Sequence, residues 1–158
     1  MDTFLHNLDL GAKGLWFPVT ISIVLVLTAL FIPKKKISWI EMYTTFGIVG
    51  LFTWITDGII ARGFDLIDLG DPNTGGIGEI LSYTFIPTSL SILFINYFTK
   101  KNKWKLTILF TILSLLIETG MLYFGYMEYS GWNRFISFIV FIIAFYFLVP
   151  LHIKIIRR

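Results

Sequence analysis

The sequence predicts an all-α, polytopic membrane protein: one domain over residues 1–158, built as a bundle of five transmembrane helices. Composition is the first reason. Of 158 residues, 56% are hydrophobic, 18% aromatic and only 15% charged, with mean hydropathy +0.77. A soluble domain carries about 25% charged residues, so this inventory cannot clothe a water-facing surface. A soluble globular enzyme is excluded. Disorder is excluded as well, because it needs low hydrophobicity and high charge. With no cysteine, disulfides, thiolate metal sites and cysteine nucleophiles are also ruled out.

The second reason is span length. A membrane helix needs about 20 mostly apolar residues. Five stretches qualify: Leu15–Pro33, Ser38–Ile60, Ile80–Phe98, Lys105–Tyr126 and Phe135–Ile153. The first has acidic residues, Asp2 and Asp9, before it and no small-residue cleavage site after it, so it reads as a permanent span. Trp16, Trp39, Trp104 and Trp132 fall near the ends of these spans, where an aromatic belt belongs.

Charge placement is the third reason. Lys34–Lys36, then Lys100, Lys101, Lys103 and Lys105, then Lys154, Arg157 and Arg158 make ten of the thirteen basic residues, all on one predicted side. Asp2, Asp9, Asp65, Asp68, Asp71, Glu79 and Glu128 lie on the other, offset only by Lys13, Arg62 and Arg134. The positive-inside rule then predicts an outside N-terminus and a cytoplasmic C-terminus, and an odd number of spans fits. The basic clusters read as topology determinants with some attraction to anionic lipid, not as a nucleic-acid patch.

The second and third spans are joined by the one long loop, residues 61–78. Its Asp-Pro, Asn-Thr and Gly-Gly pairs are turn signals. Phe64, Leu66, Ile67 and Leu69 suit a short amphipathic turn in the outer interface. No internal repeat is visible, and five helices do not divide into inverted halves, which argues against a common transporter architecture.

Ionisable residues inside spans are costly and are functional candidates by default. Glu41, one turn into the second span, reads as an interfacial ion-pair partner of Lys34–Lys36. In the same span, Tyr43, Gly47, Gly50, Trp54 and Asp57 recur at helical spacing, and the glycines allow close helix approach, so this stripe should face the bundle. The fourth span repeats the pattern with Thr107, Thr111, Ser114, Glu118, Met121 and Gly125. The third carries Ser82, Ser89 and Asn96 at sevenfold spacing, with Pro87 expected to kink it. The fifth begins with Trp132, Asn133 and Arg134 and continues through Ser137.

These patterns predict an outward-facing polar pocket of Asp57, Tyr83, Glu118, Tyr123 and Arg134, flanked by Trp54 and Trp132. In one reading Arg134 pairs with Glu118 or Asp57 and simply locks the helices together. In the other, the pocket binds a small polar ligand, proton or cation from outside. Asp65, Asp68 and Asp71 with Asn73 could offer oxygen to calcium, but their spacing matches no EF-hand loop. His6 and His152 fall on opposite predicted sides and cannot share a metal. No serine-nucleophile, Walker or dinucleotide motif is present, so no catalytic residue and no cofactor is assigned.

Several residues also form a recognisable set. Trp54-x-x-Asp57 precedes the outer loop; Tyr83-x-x-x-Pro87 and Asn96-Tyr-Phe follow, with Trp104 in a basic turn. Glu118 and Gly125 then lead to Tyr129-x-x-Trp132 and Phe135-x-Ser137. From Trp54 to Ser137 the chain resembles a family of small uncharacterised polytopic membrane proteins of spore-forming Gram-positive bacteria. The resemblance implies a bacterial plasma-membrane protein and singles out Asp57, Pro87, Glu118 and Trp132; it implies no activity. The Asp-Pro-Asn-Thr-Gly-Gly run departs from that family's pattern. Span number and size are also similar to those of the porphyrin-binding tryptophan-rich sensory proteins, of whose motifs only Trp16-Phe17-Pro18 gives an echo.

The leading expectation is thus a ligand-binding or sensing membrane protein with Asp57 and Glu118 as ligands. The alternatives are an accessory, assembly, immunity or signalling subunit on a larger membrane partner, and a membrane enzyme acting on a lipid or isoprenoid. Expected partners are membrane lipid and either a larger membrane protein or further copies of the chain.

Overall fold

The computed structural model describes residues 8–71 and 76–157, the Arg62 side chain excepted. His6 and Asn73 lie outside the described residues, as does most of the Asp-Pro-Asn-Thr-Gly-Gly run. Five helices make the bundle, and four of them are long and apolar enough to cross a membrane. They are α1 (Trp16–Phe31), α2 (Trp39–Asp57), α3 (Ile77–Tyr97), α4 (Lys103–Tyr123) and α5 (Arg134–Ile156).

The expected first span is the shortest. α1 has 16 residues, and its chain turns extended at Ile32 before Pro33. A residue before proline is pushed out of the helical region, and that ends α1 short of spanning length. Its final carbonyls are capped by the Lys34 ammonium, which donates to Ala29, Leu30 and Ile32 at 3.0, 2.6 and 3.0 Å.

α2 starts at a capping box. Ser38 Oγ accepts from the Glu41 N–H at 3.2 Å, and Glu41 Oε2 accepts from the Ser38 N–H at 2.6 Å. Glu41 therefore reaches back along its own helix, and its ion pair is with Arg157 at 2.6 Å rather than with Lys34–Lys36. The expected stripe is only half inward. Gly50 and Asp57 are buried, whereas Tyr43 is 81% exposed and Met42 and Thr45 take its place. The reason is a change of neighbour along the helix. Near its start α2 meets α5, where Thr45 hydrogen-bonds His152 at 2.9 Å; higher up it meets α3, where Gly50 lies against Thr84 and Thr88.

Past Asp57, α2 continues as a π-helical turn, Gly58–Gly63, and then enters a strand, β1 (Ile67–Leu69). β1 pairs antiparallel with β2 (Met127–Tyr129) in the register Ile67↔Tyr129, Asp68↔Glu128 and Leu69↔Met127. The bundle is all-helical, as expected, and this two-stranded pairing is added to it. Of the apolar loop residues, Ile67 and Leu69 fall in β1, where a short amphipathic turn in the outer interface was expected. Gly70 and Gly125, both at positive φ, turn the chain at the strand ends.

α3 is the hub. It packs against all four other helices and is far more buried along its length than α2. It runs through Pro87 without a break, and the Thr88 hydroxyl donates to the Thr84 carbonyl at 2.5 Å. α1 and α2 both pack chiefly on α3, with no substantial packing between them among the described residues. α5 widens into a π-helical segment at Ala144–Leu148. Pro150 explains it: a proline cannot donate to the preceding turn and its ring crowds the carbonyl four residues back.

The two ends of the bundle differ. At one, Asn96, fully buried at the end of α3, accepts from the N–H groups of Lys35 and Lys36 at 2.8 and 3.2 Å and donates to the Pro33 carbonyl at 3.0 Å. Arg157 donates to the Lys36 carbonyl at the same end. The opposite end carries the sheet and the acidic residues Asp9, Asp71 and Glu79.

Candidate functional site

Helices α2 and α4 share no substantial packing among the described residues, so the pocket expected around both Asp57 and Glu118 becomes two clusters. Periodicity gives the face on which a residue lies, not the helix it meets. Both carboxylates are buried, at 6% and 7% exposure.

The Asp57 cluster lies between α2 and α3. The Tyr83 hydroxyl is hydrogen-bonded to Asp57, and Glu79 and Tyr126 are near enough to act on it electrostatically. Trp54 borders the cluster, its ring 5.8 Å from that of Tyr83, and its Nε1 donates to Thr84 at 2.9 Å. Tyr126, just beyond α4, is pushed above the ordinary phenol range by burial and then by the charges of Glu79 and Asp9. Its hydroxyl lies where a Cβ on Gly78 would stand, 2.2 Å away, so glycine at that position lets the tyrosine reach the acidic group.

The Glu118 cluster joins α4 to β2 and α5. Thr107, Thr111, Ser114, Glu118 and Met121 are all buried along one face of α4, as their spacing predicts. Glu118 Oε1 accepts from the Tyr129 hydroxyl and from Ser137 Oγ, the latter at 2.5 Å. Trp132 Nε1 donates to Ser137 Oγ at 2.7 Å and so fixes the serine that serves Glu118. Glu118 Oε2 is buried and has no hydrogen-bond partner among the described residues, and the same is true of Thr111 Oγ1. At 1.5 Å per residue, Glu118 stands about 8 Å inside the sheet end of α4.

Two expected members are elsewhere. Tyr123 is 81% exposed. Five residues after Glu118, it is rotated about 140° around the helix and looks away from the bundle. Arg134 is exposed at the start of α5 and, among the described residues, pairs with neither carboxylate. Its one evident effect is on Tyr129, whose proton it helps to loosen. The helix-locking ion pair expected of Arg134 is therefore corrected: hydroxyl donors, not a guanidinium, hold Glu118.

The calcium candidates do not converge. Asp68 faces its strand neighbour and accepts from Ser130 Oγ at 2.7 Å, Asp65 is exposed at positive φ, and the Asp71 N–H donates to Asp9. Among the described residues no group of three His, Asp or Glu could hold a metal ion.

Tyr129 and Glu79 are members of these clusters that spacing along single helices does not reveal. Tyr129 is brought to Glu118 only by the sheet, whose strands lie far apart in sequence.

Burial, and then the Glu118 carboxylate that it serves, pushes the Tyr129 hydroxyl from 10.0 up to about 12. Folding therefore favours the protonated phenol. The resulting stabilisation is complete below the unfolded value and is lost as pH rises from 10 through 12. Melting curves across that window should fall more steeply for the wild type than for Tyr129→Phe, and parallel curves would contradict the assignment.

Compared with known proteins, the chain matches no family model, and no curated protein or solved structure is similar enough to count as a relative.

Proposed function

We propose that the chain is a multi-pass protein of a bacterial cytoplasmic membrane that binds a small cationic or hydrogen-bond-donating ligand at Glu118, reached from the outer face. The observation that carries this reading is the buried Glu118 Oε2, without a partner among the described residues, beside a fully served Oε1. A carboxylate oxygen held away from water without a donor is costly. An N–H donor or a positive charge removes that cost, whereas an anion adds to it. Because Oε2 is buried, the ligand is small. The orientation, N-terminus outside and C-terminus cytoplasmic, is supported by the basic end at Lys34–Lys36, Asn96 and Arg157. The sheet and both carboxylate clusters then belong to the outer half. The resemblance to small membrane proteins of spore-forming bacteria is part of this reading and adds no activity to it.

Thermal unfolding of the detergent-purified chain tests it, with ammonium, methylammonium, sodium and potassium chlorides compared at constant ionic strength. One of these should stabilise the wild type, by about 2.7 kcal/mol at 100 times its Kd. Glu118→Gln should lose the response and Asp57→Asn should keep it. An equal response in Glu118→Gln, or none in the wild type, overturns the proposal.

A further inference from the structure

At the basic end, away from Glu118, α1 and α2 diverge over α3 and leave an apolar crevice of about 140 Å³. Ala29 and Leu30 of α1 form one wall, Met42 and Phe46 of α2 the other, and Ser89 of α3 lies on the floor. Apolar voids of about this size stay dry and accept a benzene-sized group, so several methylenes of a chain fit. Leu30 and Phe46, at 42% and 39% exposure, stand at the rim, so the crevice faces the surface that lipid tails cover.

The mouth of the crevice is charged. Lys34 is anchored by its ammonium to the carbonyls of Ala29 and Leu30, two wall residues, and lies 4.9 Å from the exposed Trp39 ring. Lys35 and Lys36 follow, both exposed. The Lys35 ammonium rests against Tyr97, 5.2 Å from its ring centroid, and has no hydrogen-bond acceptor among the described residues. Glu41 is the one acid between Met1 and Asp57 on this side of the chain, and Arg157 already neutralises it at 2.6 Å. Among the described residues no carboxylate neutralises the lysine turn, whose first residue is bonded to the wall of the apolar slot; the Lys36 ammonium donates to the Phe98 carbonyl at 3.2 Å and keeps its charge.

We propose that this crevice is a binding site for an anionic phospholipid, one acyl chain lying between α1 and α2 and the phosphate on Lys35 and Lys36. Topology alone accounts for lysines at a cytoplasmic helix end. It does not account for an apolar slot beginning at the residues to which the first of them is bonded. The divergence of α1 from α2 gives the chain its place, and the lysine turn selects the headgroup.

The test is native mass spectrometry of the detergent-purified full chain with equal amounts of phosphatidylglycerol and phosphatidylcholine of identical acyl chains. The wild type should retain one phosphatidylglycerol, with a preference of about thirtyfold from two lysines at the membrane surface. Ser89→Leu, which fills the floor, should release both lipids while melting as a folded protein. Lys35→Gln/Lys36→Gln, altered only at exposed side chains, should keep one lipid and lose the preference. Excess glycerol phosphate should not displace the lipid, because it lacks the chain. Equal retention of the two lipids by the wild type, unchanged phosphatidylglycerol binding by a folded Ser89→Leu, or an undiminished preference in the double variant overturns the proposal.

Discussion

Asn96→Ala is expected to destabilise the protein by about 3 kcal/mol, because one fully buried side chain holds the whole turn between α1 and α2. Its carbonyl oxygen serves two N–H groups and its amide serves the Pro33 carbonyl, so alanine leaves three backbone groups to find new partners. Polar contacts between membrane helices average only about 0.6 kcal/mol, yet here several act through one residue. They do so where α1, the shortest helix of the bundle, enters it. Asn96→Asp separates the two functions: it can still accept from Lys35 and Lys36 but cannot donate to Pro33, and its cost should be the smaller. Unfolding in mixed detergent micelles gives both values. A loss below about 0.5 kcal/mol for alanine, the range of an ordinary surface substitution, would show that the turn holds itself.

Gly120→Ala should cost about 2 kcal/mol, with Gly120→Val costing more. A Cβ at this position would stand 2.2 Å from Phe17 Cζ, and its three nearest atoms all belong to the Phe17 ring. That ring is hemmed in by Trp16 and Phe124, with centroids 5.7 and 5.1 Å away, so it cannot swing aside freely. This packing ties the start of α1 to the sheet end of α4. Phe17→Leu combined with Gly120→Ala should cost less than the sum of the two single changes, since the smaller side chain gives the new methyl room. Strict additivity would mean that the two positions do not meet.

Much of the architecture is legible in the sequence because membrane helices announce themselves through length and hydropathy. The buried face of α4 is equally legible: Thr107, Thr111, Ser114 and Glu118 recur at helical spacing and meet neighbours along the whole length of the helix. α2 shows where that logic stops. Its inward stripe shifts from Met42 and Thr45 to Gly50 and Asp57 because it changes partner from α5 to α3. Single-helix periodicity contains no information about such a change. Tyr123 leaves the pocket for a simpler reason: five residues past Glu118, it is rotated about 140° around the helix. The sheet lay beyond reach: three-residue strands some sixty residues apart carry too little alternation to identify, and with them went the link between Tyr129 and Glu118.

The central claim is that Glu118 Oε2 is a place for a ligand. Carbon-13 labelling of the glutamate side-chain carboxyls tests it at the atom concerned. Glu41, Glu79, Glu118 and Glu128 give four lines, and Glu118→Gln identifies one by deleting it. On addition of the cation that stabilises the protein, the Glu118 line should shift in proportion to occupancy while the other three stay in place. A stationary Glu118 line, with another glutamate or none responding, would contradict the account and leave Glu118 as a helix-packing residue.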